Sequence, residues 1–399
     1  MTRYLLIVPP LTGHINPLVS VAAELEQRGH EVMWLGYRKL IEPLAGPGAR
    51  IAPLESSRLR ALLEPLQEMA NIVRGLESVR FLFEDFVLPL ARATVADVER
   101  AILEHQPDLI ICDQQMLSGA IAARRLGRPW VASVTTTAAI LKVWEVADRW
   151  IVRTLGRLQE EMGLPRVERP DLSNIANIVF STPAFSGQFE SYQAPFTYVG
   201  PSLQARTMRA AFPWEQLNEN LPKLLVSLGT INRDRDPRFY QTVIEALADE
   251  PVQVIMTAPP GWVENPPANF IVQPHVPQVA LLPYLDAVFC HGGHNTVCES
   301  LAYGLPLIVT PIRDDQPVIG RQVASSKAGI TLRFNRLKPE QVRESVHRVL
   351  HEKSFRIAAK RIAASFEAAG GAPQAVDFLT ALPLRRKRQT IDFLQLHSA

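Results

Sequence analysis

The sequence predicts an α/β protein built from two doubly wound parallel sheets, and three observations carry that expectation. First, short runs rich in branched apolar residues alternate with helical segments, beginning with residues 4–8, a helix, and then residues 31–36. Buried parallel strands read as near-continuous apolar runs, and their crossovers are usually helical. Second, the alternation lapses over residues 201–221, which hold two prolines and no clear strand pattern, and restarts at Lys223. Third, the 399 residues suit two or three domains at roughly 100–200 residues each. The expected organisation is a unit at 1–205, a linker at 206–221, a second unit at 222–380 and a basic tail at 381–399.

The loop PPLTGHI follows the first strand. Asn16 is expected to cap a helix, with Pro17 at its first position and Gly29 just past its end. Residues 55–104 lack strand punctuation and carry Leu, Met and Phe at helical spacing. They predict two or three amphipathic helices broken near Pro65 and Pro89, whose apolar stripes serve partly as core and partly as the lining of a cleft. Strands return at 108–113 and 129–134 around a helix at 118–127. A helical segment covers 138–162, and short strands follow at 177–182 and 197–200. In the second unit, strand runs beginning at Lys223, Val252, Asn269, Ala287, Pro306 and Gly329 alternate with helices at 237–249, 295–303 and 317–327, and further helices reach 380.

The balance of 47% hydrophobic and 21% charged residues is ordinary for a globular chain. A formal net charge of +2 gives no support for a nucleic-acid partner. Cys112, Cys290 and Cys298 are odd in number, form no CxxC and sit in apolar or helical stretches, so they read as reduced core thiols. The first apolar run is too short for a typical signal-peptide core, and no apolar stretch reaches the length of about 18 residues that a transmembrane helix needs. A cytoplasmic protein is expected. The four basic residues from Arg385 to Arg388 are expected to be solvated, with peripheral contact to an anionic membrane as the sharper reading. The oligomeric state is left open.

Chemistry is concentrated in residues 287–323. A strand ends at His291, and Gly292 and Gly293 let backbone come close to a ligand. Asn295 and Thr296 then open a helix whose first amides are unpaired, a geometry suited to a diphosphate. His291 and the Thr296 hydroxyl add donors. Glu299 falls one turn into the helix on the face of Asn295, where a carboxylate can accept from ribose hydroxyls. Asp315 and Gln316 follow the next strand, placed for the hydroxyls of a sugar. A second signal is His14, on the loop after the first strand, at the carboxyl edge where open α/β sheets bind ligands. An imidazole there suits proton abstraction from a hydroxyl. Asp113 ends another strand at the same edge and is a candidate to hold that imidazole, as in a triad, with a turn residue as the plainer reading. His291 and His294 form HxxH, but no third ligand of suitable spacing accompanies them, so metal is not expected.

The 287–323 stretch resembles the donor-binding signature of the UDP-glycosyltransferase family of GT-B fold. That pattern runs HxGxxT/S, E, G-x-P and P-x-x-x-D-Q, here His291, Gly293, Asn295, Thr296, Glu299, Gly304, Pro306, Pro311, Asp315 and Gln316. Val276-Pro277-Gln278 is similar to the family's uracil-facing segment, and residues 226–230 to its first C-domain loop. The likeness covers essentially the whole chain, the middle of the first unit matching only in layout. Ile319-Gly320 stands where the family commonly has Asn-Ala, and this is similar to bacterial zeaxanthin glucosyltransferases. His294 stands where plant members commonly have Trp.

The resemblance implies two Rossmann-like domains facing across a cleft, a His14–Asp113 catalytic dyad, and donor contacts from Ser227, Gly229, Thr230, Val276, Gln278, His291, Gly293, Asn295, Thr296, Glu299, Asp315 and Gln316. It implies inverting, metal-independent transfer of a hexose, glucose from UDP-glucose, onto a hydroxyl of a small apolar acceptor such as a carotenoid, polyketide or terpenoid. The UDP-sugar is a co-substrate, and no other cofactor is expected. Asp234-Arg-Asp236 looks like the manganese-binding DxD of another glycosyltransferase fold, but a polar stretch before a helix reads better as a solvated loop. Two alternatives stand beside this reading: a sugar-nucleotide epimerase, which forms product without acceptor, and a catalytically silent binder or partner-activating protein, which has no need of His14 and Asp113.

Overall fold

A computed structural model describes residues 1–54, 59, 76–142, 145–187, 192–203, 211–229 and 236–384. Thr230, Asp234, Pro65 and the 385–388 basic run lie outside the described residues. The first sheet contains β1 (Arg3–Ile7), β2 (Glu31–Gly36), β3 (Ile51–Pro53), β4 (Leu109–Asp113), β5 (Trp130–Val134), β6 (Asn177–Val179) and β7 (Phe196–Tyr198), in the order β3-β2-β1-β4-β5-β6-β7. The second contains β8 (Lys223–Ser227), β9 (Gln253–Thr257), β10 (Phe270–Gln273), β11 (Ala287–Cys290), β12 (Leu307–Val309) and β13 (Gly329–Thr331), in the order β10-β9-β8-β11-β12-β13. Every strand pairing among the described residues is parallel. These are two Rossmann-like units.

Alternation along each strand feeds two cores per sheet, because successive side chains leave opposite faces. Leu5 and Ile7 pack into one cluster with Ile110 and Cys112, while Tyr4 and Leu6 join Leu109 and Ile111 on the other face. Leu225, Val288 and Cys290 repeat this against Leu224, Val226, Ala287 and Phe289. All three cysteines are buried and unbridged. Among the described residues no helix is long and apolar enough to cross a membrane.

Three local features differ from expectation. The first helix spans Thr12–Gln27, capped by Leu11, so Asn16 and Pro17 lie inside it and His14 sits in its first turn. Pro17 has no amide to give the Gly13 carbonyl four residues back. That carbonyl instead accepts from Asn295 Nδ2 of the second unit at 2.7 Å. Near Pro89 the helix does not break: Leu76–Phe81 runs through a π-helical Leu82–Val87 into Leu88–His105. The wider turn and the position of Pro89 at the start of the last segment absorb the missing donor. Finally, the helix Gly371–Ala381, expected within the second unit, packs on the first. Ala372, Ala375, Val376 and Leu379 join the core of Leu18 and Leu25, and the Gly371 amide donates to the Val199 carbonyl at 2.7 Å. Two alanines, a valine and a leucine supply that packing.

Candidate active site

Each sheet reverses its winding between two central strands, β1 and β4 in the first and β8 and β11 in the second. Ligands of open α/β sheets bind outside the carboxyl ends of such strands. The register pairs Ile7 with Cys112, so the chain leaving β1 emerges beside Asp113. The His14 Nδ1 atom lies 3.0 Å from both Asp113 oxygens. Asp113 is fully buried and also accepts from the Gln115 amide at 2.9 Å. Thr135, one residue past β5, has its hydroxyl 2.8 Å from His14 Nδ1 and donates to Asp113 Oδ2 at 3.4 Å. A carboxylate can only accept, so the network puts the imidazole proton on Nδ1 and leaves Nε2 with a lone pair. Burial lowers the basicity of His14, but the Asp113 charge and hydrogen bond, with the Asp315 charge, outweigh it and hold its pKa above the ordinary value.

In the second unit Cys290 pairs with Ser227, which sets the ends of β8 and β11 side by side. The His291 imidazole lies against the Gly229 and Gly293 backbones. A Cβ at Gly229 would sit 2.6 Å from His291 Cε1, and one at Gly293 2.5 Å from His291 Nε2. These glycines therefore make room for the imidazole as much as for any ligand, and Gly229 also holds φ at +71°. Burial drives His291 down to about 4, against a raising contact from the Ser227 backbone. His294 is pushed down to about 4 by burial and then by the charge of His14. Both rings are thus neutral near pH 7 and offer N–H donors rather than charge. The helix His294–Ala302 has no side-chain cap, so its first amides remain available at its N-terminus.

The other expected donor residues divide. Gln278 Nε2 donates to the buried Glu299 at 2.7 Å, so the segment expected to face uracil and the carboxylate expected to face ribose meet. Val276 is buried in the core of the same unit. Ser227 Oγ accepts from the Gly229 amide at 3.2 Å and from Thr257 Oγ1 at 3.0 Å. Asn295 bridges to the first unit, as described, and Thr296 lies in the first turn of the uncapped helix. Gln316 Oε1 closes its own turn by accepting from the Ile312 and Arg313 amides at 2.9 and 3.1 Å. Asp315 accepts from Thr136 Oγ1 at 2.6 Å. Burial raises the Asp315 carboxyl, opposed by that hydrogen bond and by His14.

Sequence reasoning did not single out Thr135, Thr136 or Thr257. All three stand at the carboxyl ends of strands next to the switch-point pair, a position that the strand order makes visible and the sequence alone does not. Asp236 caps the helix Pro237–Leu247 through the Arg238 amide at 3.0 Å.

Beside the dyad lies a cavity of about 900 Å³, counted with its open mouth. Leu82, Phe83, Val87, Leu117 and Ile151 of the first unit and Val318 of the second give it an apolar wall. Other members of the 76–104 stripes, such as Phe86, Leu90 and Val98, are core. His14 is not in the cavity wall. Thr136 and Asp315 are, and they link the wall to the dyad, since Thr135 touches His14 and Asp315 is close enough to bias its charge.

The site thus combines two central switch points, one beside a histidine–aspartate pair and one beside an uncapped helix and two buried neutral histidines. Residues 241–382 match the erythromycin biosynthesis protein CIII-like C-terminal domain. The 4'-demethylrebeccamycin synthase of Lentzea aerocolonigenes is 28% identical, covering 95% of this chain and 99% of that protein. The NDP-glycosyltransferase YjiC of Bacillus subtilis (strain 168) is 27% identical, covering 92% of this chain and 93% of that one. The crystal structure of glycosyltransferase VinC in complex with dTDP has the same fold, at a TM-score of 0.71 and 21% identity over 95% of this chain and 99% of that chain. The chain is a glycosyltransferase of natural-product type with the GT-B fold, and it resembles the UDP-glycosyltransferase family.

Proposed function

We propose that the protein is an inverting glycosyltransferase that moves a hexose, glucose from UDP-glucose, onto a hydroxyl of a small apolar acceptor. The observation that carries this reading is the His14 imidazole, held by Asp113 with its Nε2 lone pair free to act. His14 Nε2 takes the acceptor proton as the acceptor oxygen attacks the anomeric carbon from the face opposite the diphosphate. The bond from that carbon to the diphosphate oxygen breaks, and its electron pair leaves with UDP. The amides opening the helix His294–Ala302, with His291, Ser227 and Thr296, stabilise the charge gathering on the diphosphate. The apolar cavity beside the dyad suits a carotenoid, polyketide or terpenoid acceptor. A donor-by-acceptor screen read by mass spectrometry tests the reading. Product formed from the sugar nucleotide without acceptor would replace it with an epimerase, and the assembled dyad argues against a silent binder.

Because amides and the neutral His291 are assigned to the leaving charge, turnover is expected to persist in excess EDTA. Complete loss, restored by Mn²⁺ or Mg²⁺, would point to a metal site in place of this arrangement.

Glu299 carries the donor assignment. A buried carboxylate turned to a ribose loses a partner when the 2′-hydroxyl is missing, at a cost on the order of 1–3 kcal/mol. UDP-glucose is therefore expected to outperform dTDP-glucose. Glu299→Ala should weaken UDP binding by a similar amount and narrow that preference, while substitution of Asp315 impairs transfer and leaves UDP affinity nearly intact. Calorimetry with UDP, paired with turnover, separates the two. The dTDP named with VinC makes the thymidine donor the competing outcome: better turnover with dTDP-glucose, or unchanged UDP affinity in the Glu299 variant, removes the ribose assignment.

A further inference from the structure

The apolar cavity has one polar corner that the transfer chemistry does not use. Gln114 follows Asp113 directly, and its amide donates to the Ser133 carbonyl at 3.1 Å, which fixes it at the end of β5. The residue is only 6% exposed. Gln114 Nε2 donates to Asp171 Oδ2 at 3.1 Å. Asp171 is itself clamped by Arg169, which donates through Nε at 2.8 Å and through Nη2. Arg169 Nη2 also donates to the Ala139 carbonyl at 2.8 Å, and the guanidinium lies 4.3 Å over the Tyr192 ring. Gln114, Arg169, Asp171 and Tyr192 all line the cavity, as does Gln115.

This network decides which way the Gln114 amide points. Asp171, paired with Arg169, can only accept, so the nitrogen must face it and the oxygen must face away. Among the described residues that buried oxygen has no hydrogen-bond partner, and the same holds for Gln115 Oε1. Buried amide oxygens are nearly always satisfied, because leaving one unmet costs free energy. Among the described residues that line the corner, the Arg169 cation is paired with Asp171. Asp148 and Asp315 also stand in the wall, which adds acceptors and disfavours a carboxylate-bearing ligand.

We infer that Gln114, with Gln115 beside it, reads a second hydrogen-bond donor on the acceptor. The acceptor class is then a neutral, largely apolar scaffold that carries an uncharged N–H or O–H group in addition to the hydroxyl that is glycosylated. Gln114 acts on acceptor choice, while Asp113, its neighbour in sequence, acts on the base. This rests on the transferase reading above.

The experiment compares matched neutral acceptors with UDP-glucose: 7-hydroxyflavone, 7,4′-dihydroxyflavone and 7-hydroxy-4′-methoxyflavone, with an N–H series of a hydroxylated lactam and its N-methyl derivative. Wild type should favour the member with the second donor by roughly 10- to 100-fold in kcat/KM. Better performance of the flavone or the lactam series distinguishes an O–H from an N–H partner. Gln114→Leu should erase the preference by lowering kcat/KM for the donor-bearing member toward that of its methylated counterpart, with UDP affinity by calorimetry reporting an intact second unit. Should Gln114→Leu fail to fold, the wild-type comparison decides alone. Equal transfer to both members of each pair overturns the Gln114 assignment and leaves the transferase standing. UDP binding with no transfer to any member overturns both.

Discussion

His14→Ala should lower turnover by about 10²–10⁴, the usual worth of a general base, with UDP affinity nearly unchanged. The ring sits in the first turn of a first-unit helix, whereas the residues assigned to UDP come from the second unit. A structural histidine would behave differently: its loss would lower thermal stability and donor binding together and leave the chemical step intact. The wild-type pH profile supplies an independent mark. The base acts in its neutral form, and the Asp113 and Asp315 charges raise the pKa of His14 despite burial. Activity should therefore fall as pH drops through a value above the ordinary histidine pKa of about 6.5, and the acid limb should vanish in His14→Ala. Turnover near wild type, or an acid limb that survives the substitution, would sink the assignment.

Much of the fold was legible because buried parallel strands leave a strong local trace. The runs at 4–8, 108–113 and 287–290 are apolar on both faces, and each became a central strand. The donor stretch was legible for another reason: His291, Gly293, Glu299, Asp315 and Gln316 lie within one strand-helix-strand-helix unit, so spacing along the chain fixes their spacing in the fold. What stayed hidden depends on distant partners. Asn16 and Pro17 look like a helix start, yet the helix begins at Thr12 because Asn295, 282 residues away, takes up the carbonyl that Pro17 leaves unmet. The return of Gly371–Ala381 to the first unit is likewise set by packing against the first helix. Thr135 is one of three consecutive threonines after β5, and only the strand order β4-β5 reveals that the first of them reaches His14. Gly292 and Gly293 of the donor loop were read as space for a ligand; a Cβ on Gly293 would also meet the His291 imidazole, and one on Gly292 would meet Val309.

Asp113→Asn should also lower turnover by about 10²–10⁴, through the tautomer of His14 rather than through loss of the ring. The Gln115 amide donates to Asp113 Oδ1 at 2.9 Å, so the asparagine oxygen must stay at that position to accept it. The asparagine NH₂ then takes the place of Oδ2, 3.0 Å from His14 Nδ1. That NH₂ favours the tautomer in which Nδ1 accepts from it, in competition with the Nδ1–H bond to the retained Oδ1, also 3.0 Å away. In that tautomer the neutral imidazole carries its proton on Nε2, where it blocks acceptance of the substrate proton. The same substitution removes the largest influences raising the His14 pKa, leaving burial to lower it. The signature is therefore a deep loss of kcat together with an acid limb displaced to lower pH, while UDP affinity and thermal stability change little. Since Thr135 also touches Nδ1, Thr135→Val should give a smaller loss in the same direction. A variant whose kcat stays near wild type and whose acid limb does not move would mean that Asp113 merely ends its strand, and that His14 finds its orientation elsewhere.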